Sequence, residues 1–196
     1  MTRLGVLGGT FDPVHVGHIA AAATARHDLG LDRVLMVVAN TPWQKAGTRA
    51  ITPAEDRLAM VSAAVDGIDG LEVSRMEVDR GGPSYTADTL AELARAHADA
   101  PGGVELFLIV GTDVADDLHT WVRADEVARL ATLAIVTRPG ATPVRPEGWR
   151  VEVVELPALD LSSTDLRRRV AEGRPIDGLV PPGAVRVIRE RRLYIG

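Results

Sequence analysis

The chain has 196 residues, is 46% hydrophobic and 25% charged, carries a formal net charge of −5 and contains no cysteine. That balance suits a soluble globular protein with chain enough for a substantial core, and one domain over 1–196 is expected. The missing cysteines exclude disulfides, thiolate zinc sites and a cysteine nucleophile, and the acidic balance argues against a general nucleic-acid binder, which needs a broad basic face.

No apolar run approaches the roughly 20 residues of a membrane helix. The first residues, Met1 to Val6, lead towards a strand with no signal-peptide pattern, so a cytoplasmic protein is expected. Leu4, Val6 and Leu7 make the first short apolar strand. Gly8-Gly9-Thr10-Phe11-Asp12-Pro13 follows as a turn, and an alanine-rich helix is predicted from about Val16 to Leu29. Val34 to Ala39 reads as a second buried strand, giving a parallel βαβ unit with a right-handed crossover.

Thr52-Pro53-Ala54-Glu55 has the pattern of a helix start, with Thr52 as N-cap, Pro53 at the first helical position and Glu55 closing a capping box; the helix should reach Val65. Leu71 to Ser74 is a predicted strand, Ser84 to His97 a helix and Val104 to Val110 a strongly apolar strand. Helices are expected over Thr112 to His119 and Ala124 to Leu130, then strands over Leu133 to Thr137 and Val151 to Leu156. Ser162 or Ser163 can cap a helix to Ala171, and a last helix should span Gly183 to Arg191. Such alternation predicts an α/β fold with a doubly wound parallel sheet, which binds ligands beyond the C-terminal strand ends where the strand order reverses.

The chemistry concentrates at those ends. In Gly8-Gly9-Thr10-Phe11-Asp12-Pro13-Val14-His15-Val16-Gly17-His18, two glycines let backbone N–H groups approach a phosphate, and a helix N-terminus adds donors and partial positive charge. His15 and His18 stand three apart, on one face of a first helical turn, with Gly17 leaving the neighbouring surface bare. The competing readings are a solvated turn, a zinc site and a dinucleotide fingerprint. Gly5, Gly8 and Gly9 do not give G-x-G-x-x-G, and helical zinc histidines are usually four apart with further ligands nearby. Near residue 163, Ser163 and Thr164 can present donors at another helix start, with Arg167 one turn later; the alternative is a plain serine cap and a solvated basic face.

The stretch Gly8 to His18 resembles the signature of the HxGH nucleotidyltransferases, and Leu161-Ser162-Ser163-Thr164-Asp165-Leu166-Arg167 is similar to their second, ISSTxxR-type motif. Pro42-Trp43-Gln44-Lys45, Gly82 to Leu90, Gly111-Thr112-Asp113, Trp121 and Arg138-Pro139-Gly140 resemble the bacterial nicotinate-nucleotide adenylyltransferases in particular. The likeness runs in order from about Leu4 to Tyr194, with Leu161 in place of the usual isoleucine.

This resemblance implies a Rossmann-like nucleotidyltransferase fold and transfer of AMP from ATP to nicotinic acid mononucleotide, with Mg2+ accompanying ATP and no protein metal cage. It places His15, His18, Lys45 and Arg167 in catalysis, with His18 protonated beside phosphate. Gly8, Gly9, Thr10, Phe11, Gly17, Gly111, Asp113, Ser163 and Thr164 would hold ATP. Tyr85, Thr86 and Trp121 would hold the acceptor, where Asp or Glu would repel a nicotinate carboxylate; Trp43 and Trp149 receive no role. Alternatives are transfer to nicotinamide mononucleotide or phosphopantetheine, or a non-catalytic nucleotide-binding regulator. A class I aminoacyl-tRNA synthetase is excluded, because Lys45 is the only lysine and a lysine-rich second signature cannot exist.

Overall fold

Six short strands assemble into one parallel sheet, and among the described residues helices separate each from the next except the last two. The computed structural model describes residues 1–42, 50–138, 140–143, 145–157 and 159–195. Its strands are β1 (Thr2–Gly9), β2 (Arg33–Val38), β3 (Leu71–Ser74), β4 (Val104–Gly111), β5 (Ala131–Thr137) and β6 (Val151–Glu155), in the order β3-β2-β1-β4-β5-β6. Every pairing is parallel. This is the doubly wound Rossmann-like arrangement expected from the sequence, and its order reverses between β1 and β4.

The helices are α1 (Val16–Asp28), α2 (Ala54–Val65), α3 (Met76–Arg80), α4 (Thr86–Ala96), α5 (Thr112–Asp116), α6 (Ala124–Leu130), α7 (Ser163–Ala171) and α8 (Pro182–Glu190). Strand side chains alternate between the two faces of the sheet. Leu7, Met36, Phe107 and Ile109 face the core beneath α1, α2 and α8, whereas Leu4, Val6, Leu106 and Leu108 face α4 and α6. Gly183 in α8 packs so closely on α2 that a Cβ there would lie 2.0 Å from the Ala63 carbonyl oxygen.

Four local expectations are corrected. Pro53, not Thr52, is the N-cap of α2. The Thr52 carbonyl accepts instead from Arg57 Nε at 2.8 Å, and Glu55 pairs with Arg75 at 3.1 Å rather than closing a capping box. The helix expected from Thr112 to His119 ends at Asp116 and gives way to a 3-10 turn at Leu118–Thr120. Helix α4 starts at Thr86 with Tyr85 as N-cap, two residues later than expected. Finally, α3 fills a segment where the sequence indicated no element; at five residues it is too short to display helical periodicity.

Candidate active site

The site is built at the reversal of strand order, where β1 ends in Gly8-Gly9 and β4 ends in Gly111. A cleft of about 1160 Å³ opens there, and Gly8, Gly9, Thr10, His15, Gly17, His18, Gly111 and Asp113 line it, as do Tyr85, Thr86 and Trp121. The two strand-end glycines differ in what they do. A Cβ on Gly9 would meet the Phe11 ring at 2.8 Å, whereas one on Gly8 has nothing within 4 Å. Gly9 is required by packing; Gly8 leaves open space facing the cleft. Phe11 itself, expected beside ATP, is 2% exposed and stands behind the loop, its ring edge-on to His18 with centroids 5.0 Å apart.

His15 is the N-cap of α1, in extended backbone, and His18 lies in the first turn. The His15 backbone N–H donates to His18 Nδ1 at 3.1 Å. That bond needs a lone pair on Nδ1, so the His18 proton sits on Nε2. A doubly protonated ring, as expected from the sequence beside phosphate, would have to give that bond up. The rings of His15 and His18 stack with centroids 3.7 Å apart. Gly17 permits this, since a Cβ there would stand 3.1 Å from His15 Nδ1. His15 is 8% exposed, and burial pushes its pKa down to about 4, so it is neutral near pH 7. Its Nδ1 is buried without a hydrogen-bond partner among the described residues.

The second motif meets the first from behind. Ser162 caps α7, its hydroxyl oxygen accepting from Asp165 N–H at 3.1 Å. Ser163 Oγ donates to the Pro13 carbonyl at 2.9 Å, and Arg167 Nη1 donates to the Asp12 carbonyl at 2.6 Å while Nη2 donates to Thr164 Oγ1 at 3.0 Å. Ser163, Thr164 and Arg167 thus brace the histidine turn in this structure, and the cleft is lined by other residues. Lys45 lies outside the described residues, as does Trp43.

At the other end of the cleft, the Ser84 hydroxyl accepts from Asn40 N–H at 2.9 Å and Ser84 N–H donates to the Thr41 carbonyl at 3.0 Å, tying the approach to α4 onto the end of β2. The α4 N-terminus brings donors and partial positive charge to Tyr85 and Thr86. Trp121 is half-buried and its indole Nε1–H has no partner among the described residues.

Four further residues escaped sequence reasoning. Glu77 lines the same end of the cleft at 7% exposure, its Oε1 accepting from Thr89 Oγ1 at 2.5 Å. Arg57, 1% exposed, donates to the carbonyls of Thr10, Ala39, Asn40 and Thr52, joining the first motif to the ends of β2 and α2. Asp12, 1% exposed, accepts from the Tyr194 hydroxyl at 2.8 Å. Asp12 sits inside the motif and Arg57 inside an apolar helix, which are the signals available; Tyr194 has none in its neighbourhood.

The comparisons with known proteins agree with this architecture. A family model described as cytidylyltransferase-like matches residues 6–169. A protein of Corynebacterium kroppenstedtii named "Probable nicotinate-nucleotide adenylyltransferase" is 45% identical over 197 residues, covering 98% of this chain and 91% of its own. One of Streptomyces coelicolor with the same name is 46% identical over 193 residues, covering 97% and 100%. The chain belongs to the nicotinate-nucleotide adenylyltransferase family. A solved structure of Plasmodium falciparum nicotinic acid mononucleotide adenylyltransferase complexed with NaAD matches with TM-score 0.79 at 15% identity, over 99% of this chain and 98% of that one, an agreement in fold. Within this nucleotidyltransferase family, the described residues contain no group of three or more His, Asp or Glu side chains placed to hold a metal ion.

Proposed function

We propose that the protein transfers AMP from ATP to nicotinic acid mononucleotide, yielding nicotinic acid adenine dinucleotide and pyrophosphate, as a cytoplasmic step of NAD biosynthesis. The observation that carries this reading is the cleft itself. A glycine-ended strand and a histidine turn stand on one side, and an aromatic face with a helix N-terminus stands on the other. A phosphate oxygen of the acceptor attacks the α-phosphorus in line, the bond from that phosphorus to the bridging oxygen breaks, and pyrophosphate leaves. No covalent enzyme intermediate is needed, because positioning and charge stabilisation suffice for this chemistry.

His18 Nε2–H donates to phosphate oxygens as charge moves to the leaving group, and neutral His15 orients the neighbouring phosphates. Gly8, Gly9 and Thr10 offer backbone donors, while Gly111 and Asp113 receive the adenosine portion. Magnesium enters with ATP as part of the substrate, held by phosphate and water. Lys45 supplies further positive charge, and Arg167 holds the turn that carries the histidines. Trp121 stacks on the pyridine ring, and donors at Tyr85 and Thr86 receive the carboxylate.

The test is to follow pyrophosphate release with ATP, magnesium and either nicotinic acid mononucleotide, nicotinamide mononucleotide or phosphopantetheine. Release with the first far above the other two is expected; no release with any acceptor would leave a nucleotide-binding regulator. His18→Ala is expected to lower kcat by roughly two to three orders of magnitude with little change in ATP affinity, as when a transition-state donor is removed.

A further inference from the structure

The chain's last turn reaches the catalytic loop across the whole sequence. Tyr194 follows α8 and adopts φ 64, a left-handed conformation that bulky residues hold only where their surroundings enforce it. Its hydroxyl lies 2.8 Å from Asp12 Oδ1 and 3.7 Å from Met60 Sδ, with 182 positions separating Tyr194 from Asp12. Asp12 is 1% exposed, and a carboxylate at that depth is tolerable only when hydrogen-bonded. Burial, with the Asp12 charge beside it, raises the Tyr194 pKa well above the ordinary phenol value, so the hydroxyl keeps its proton and remains a donor.

From Asp12 the geometry passes directly to the histidines. The Asp12 and Pro13 carbonyls are held by Arg167 and Ser163, and the chain then enters the His15 N-cap, whose N–H fixes His18 Nδ1. The Asp12 side chain and backbone are therefore gripped from two separate directions, α7 and the C-terminal turn. A shift of Asp12 moves the cap that sets the His18 ring.

We propose that Tyr194 is a positioning residue for adenylyl transfer, holding Asp12 so that the His15–His18 turn keeps the orientation required by the reacting phosphates. The assignment rests on the proposed function, so the parent protein is assayed first; a parent that releases no pyrophosphate refutes that function and not this geometry. Tyr194→Phe removes one hydroxyl and leaves the ring. It should lower kcat about tenfold or more, with the KM values for ATP and acceptor within about twofold, because misplacement of a transition-state donor acts on turnover.

Asp12→Ala, which removes the accepting oxygen, should lower kcat at least as much, and Tyr194→Phe/Asp12→Ala should be no slower than the slower single variant, since both remove the same hydrogen bond. A kcat for Tyr194→Phe within about twofold of the parent, a rise in KM alone, or losses that multiply in the double variant would each overturn the proposal. Should Tyr194→Phe fail to fold, Asp12→Ala carries the test, and a parent-like kcat in that variant overturns it.

Discussion

His15 should make the protein acid-sensitive in a way that one substitution can isolate. Burial holds its pKa at about 4, against about 6.5 for an imidazole in the unfolded chain. At pH 7 both states keep the ring neutral, and His15 contributes almost nothing to the pH dependence. As pH falls through 6.5 the unfolded chain takes up a proton that the folded chain refuses, so stability drops, and the drop ends once pH passes below 4. Linkage puts the loss at about 2 kcal/mol between pH 7 and pH 5, approaching about 3 kcal/mol below pH 4. At 8% exposure the ring has little solvent to soften this.

The assay is urea unfolding of the parent and His15→Asn at pH 7 and pH 5. Asparagine preserves a good helix cap and cannot titrate. The ionisable groups remote from this turn are common to both proteins and cancel in the comparison. The parent should lose about 2 kcal/mol more than the variant over that interval. Equal losses would show that the His15 ring accepts a proton freely in the folded state, and the neutral role assigned to it would fail.

Two other substitutions separate scaffold from ligand contact. Arg57→Met strips buried donors from the four carbonyls that Arg57 joins and should cost about 3 kcal/mol or more in urea unfolding, each unpaired buried group costing about 1–3 kcal/mol. Arg57→Lys should recover only part of it, because one ammonium cannot reproduce the guanidinium fork. Gly8→Ala has open space for its methyl group and should leave the melting temperature within a few degrees of the parent. The same methyl group intrudes where a triphosphate must approach, so KM for ATP should rise about tenfold or more, roughly the effect of one lost close contact.

Much of the fold was legible because it rests on local pattern. Strands β1, β2, β4 and β5 are built on short apolar runs, and six of the seven expected helices match within two residues, since periodicity and Gly or Pro punctuation are read over a few positions. Helix α3 carried no such signal, and neither did the break between Asp116 and Leu118. In the site, the Gly8 to His18 segment announced itself because it combines a strand end, glycines and histidines in one stretch. The unexpected residues are those whose partners lie far away in sequence. Tyr194 and Asp12 are 182 positions apart, and Arg167 finds the Asp12 carbonyl across 155. Nothing near Ser163 or Arg167 reveals that their side chains brace a loop, and nothing near Glu77 reveals that it ends in the cleft.

A sheet whose strands all run one way gathers its chemistry along a single rim. The opposite rim carries the turns at 66–70 and 98–103, where Gly67, Gly70, Gly102 and Gly103 adopt positive φ and no cleft residue is found. Those turns are the natural places to graft a reporter, a linker or a fused domain, since cargo attached there projects away from the phosphates. Within them the exposed Ala98, Asp99 and Pro101 are the better attachment points, because the Arg26 side chain packs against the backbone at Gly70 and the Met1 backbone packs against it at Gly102.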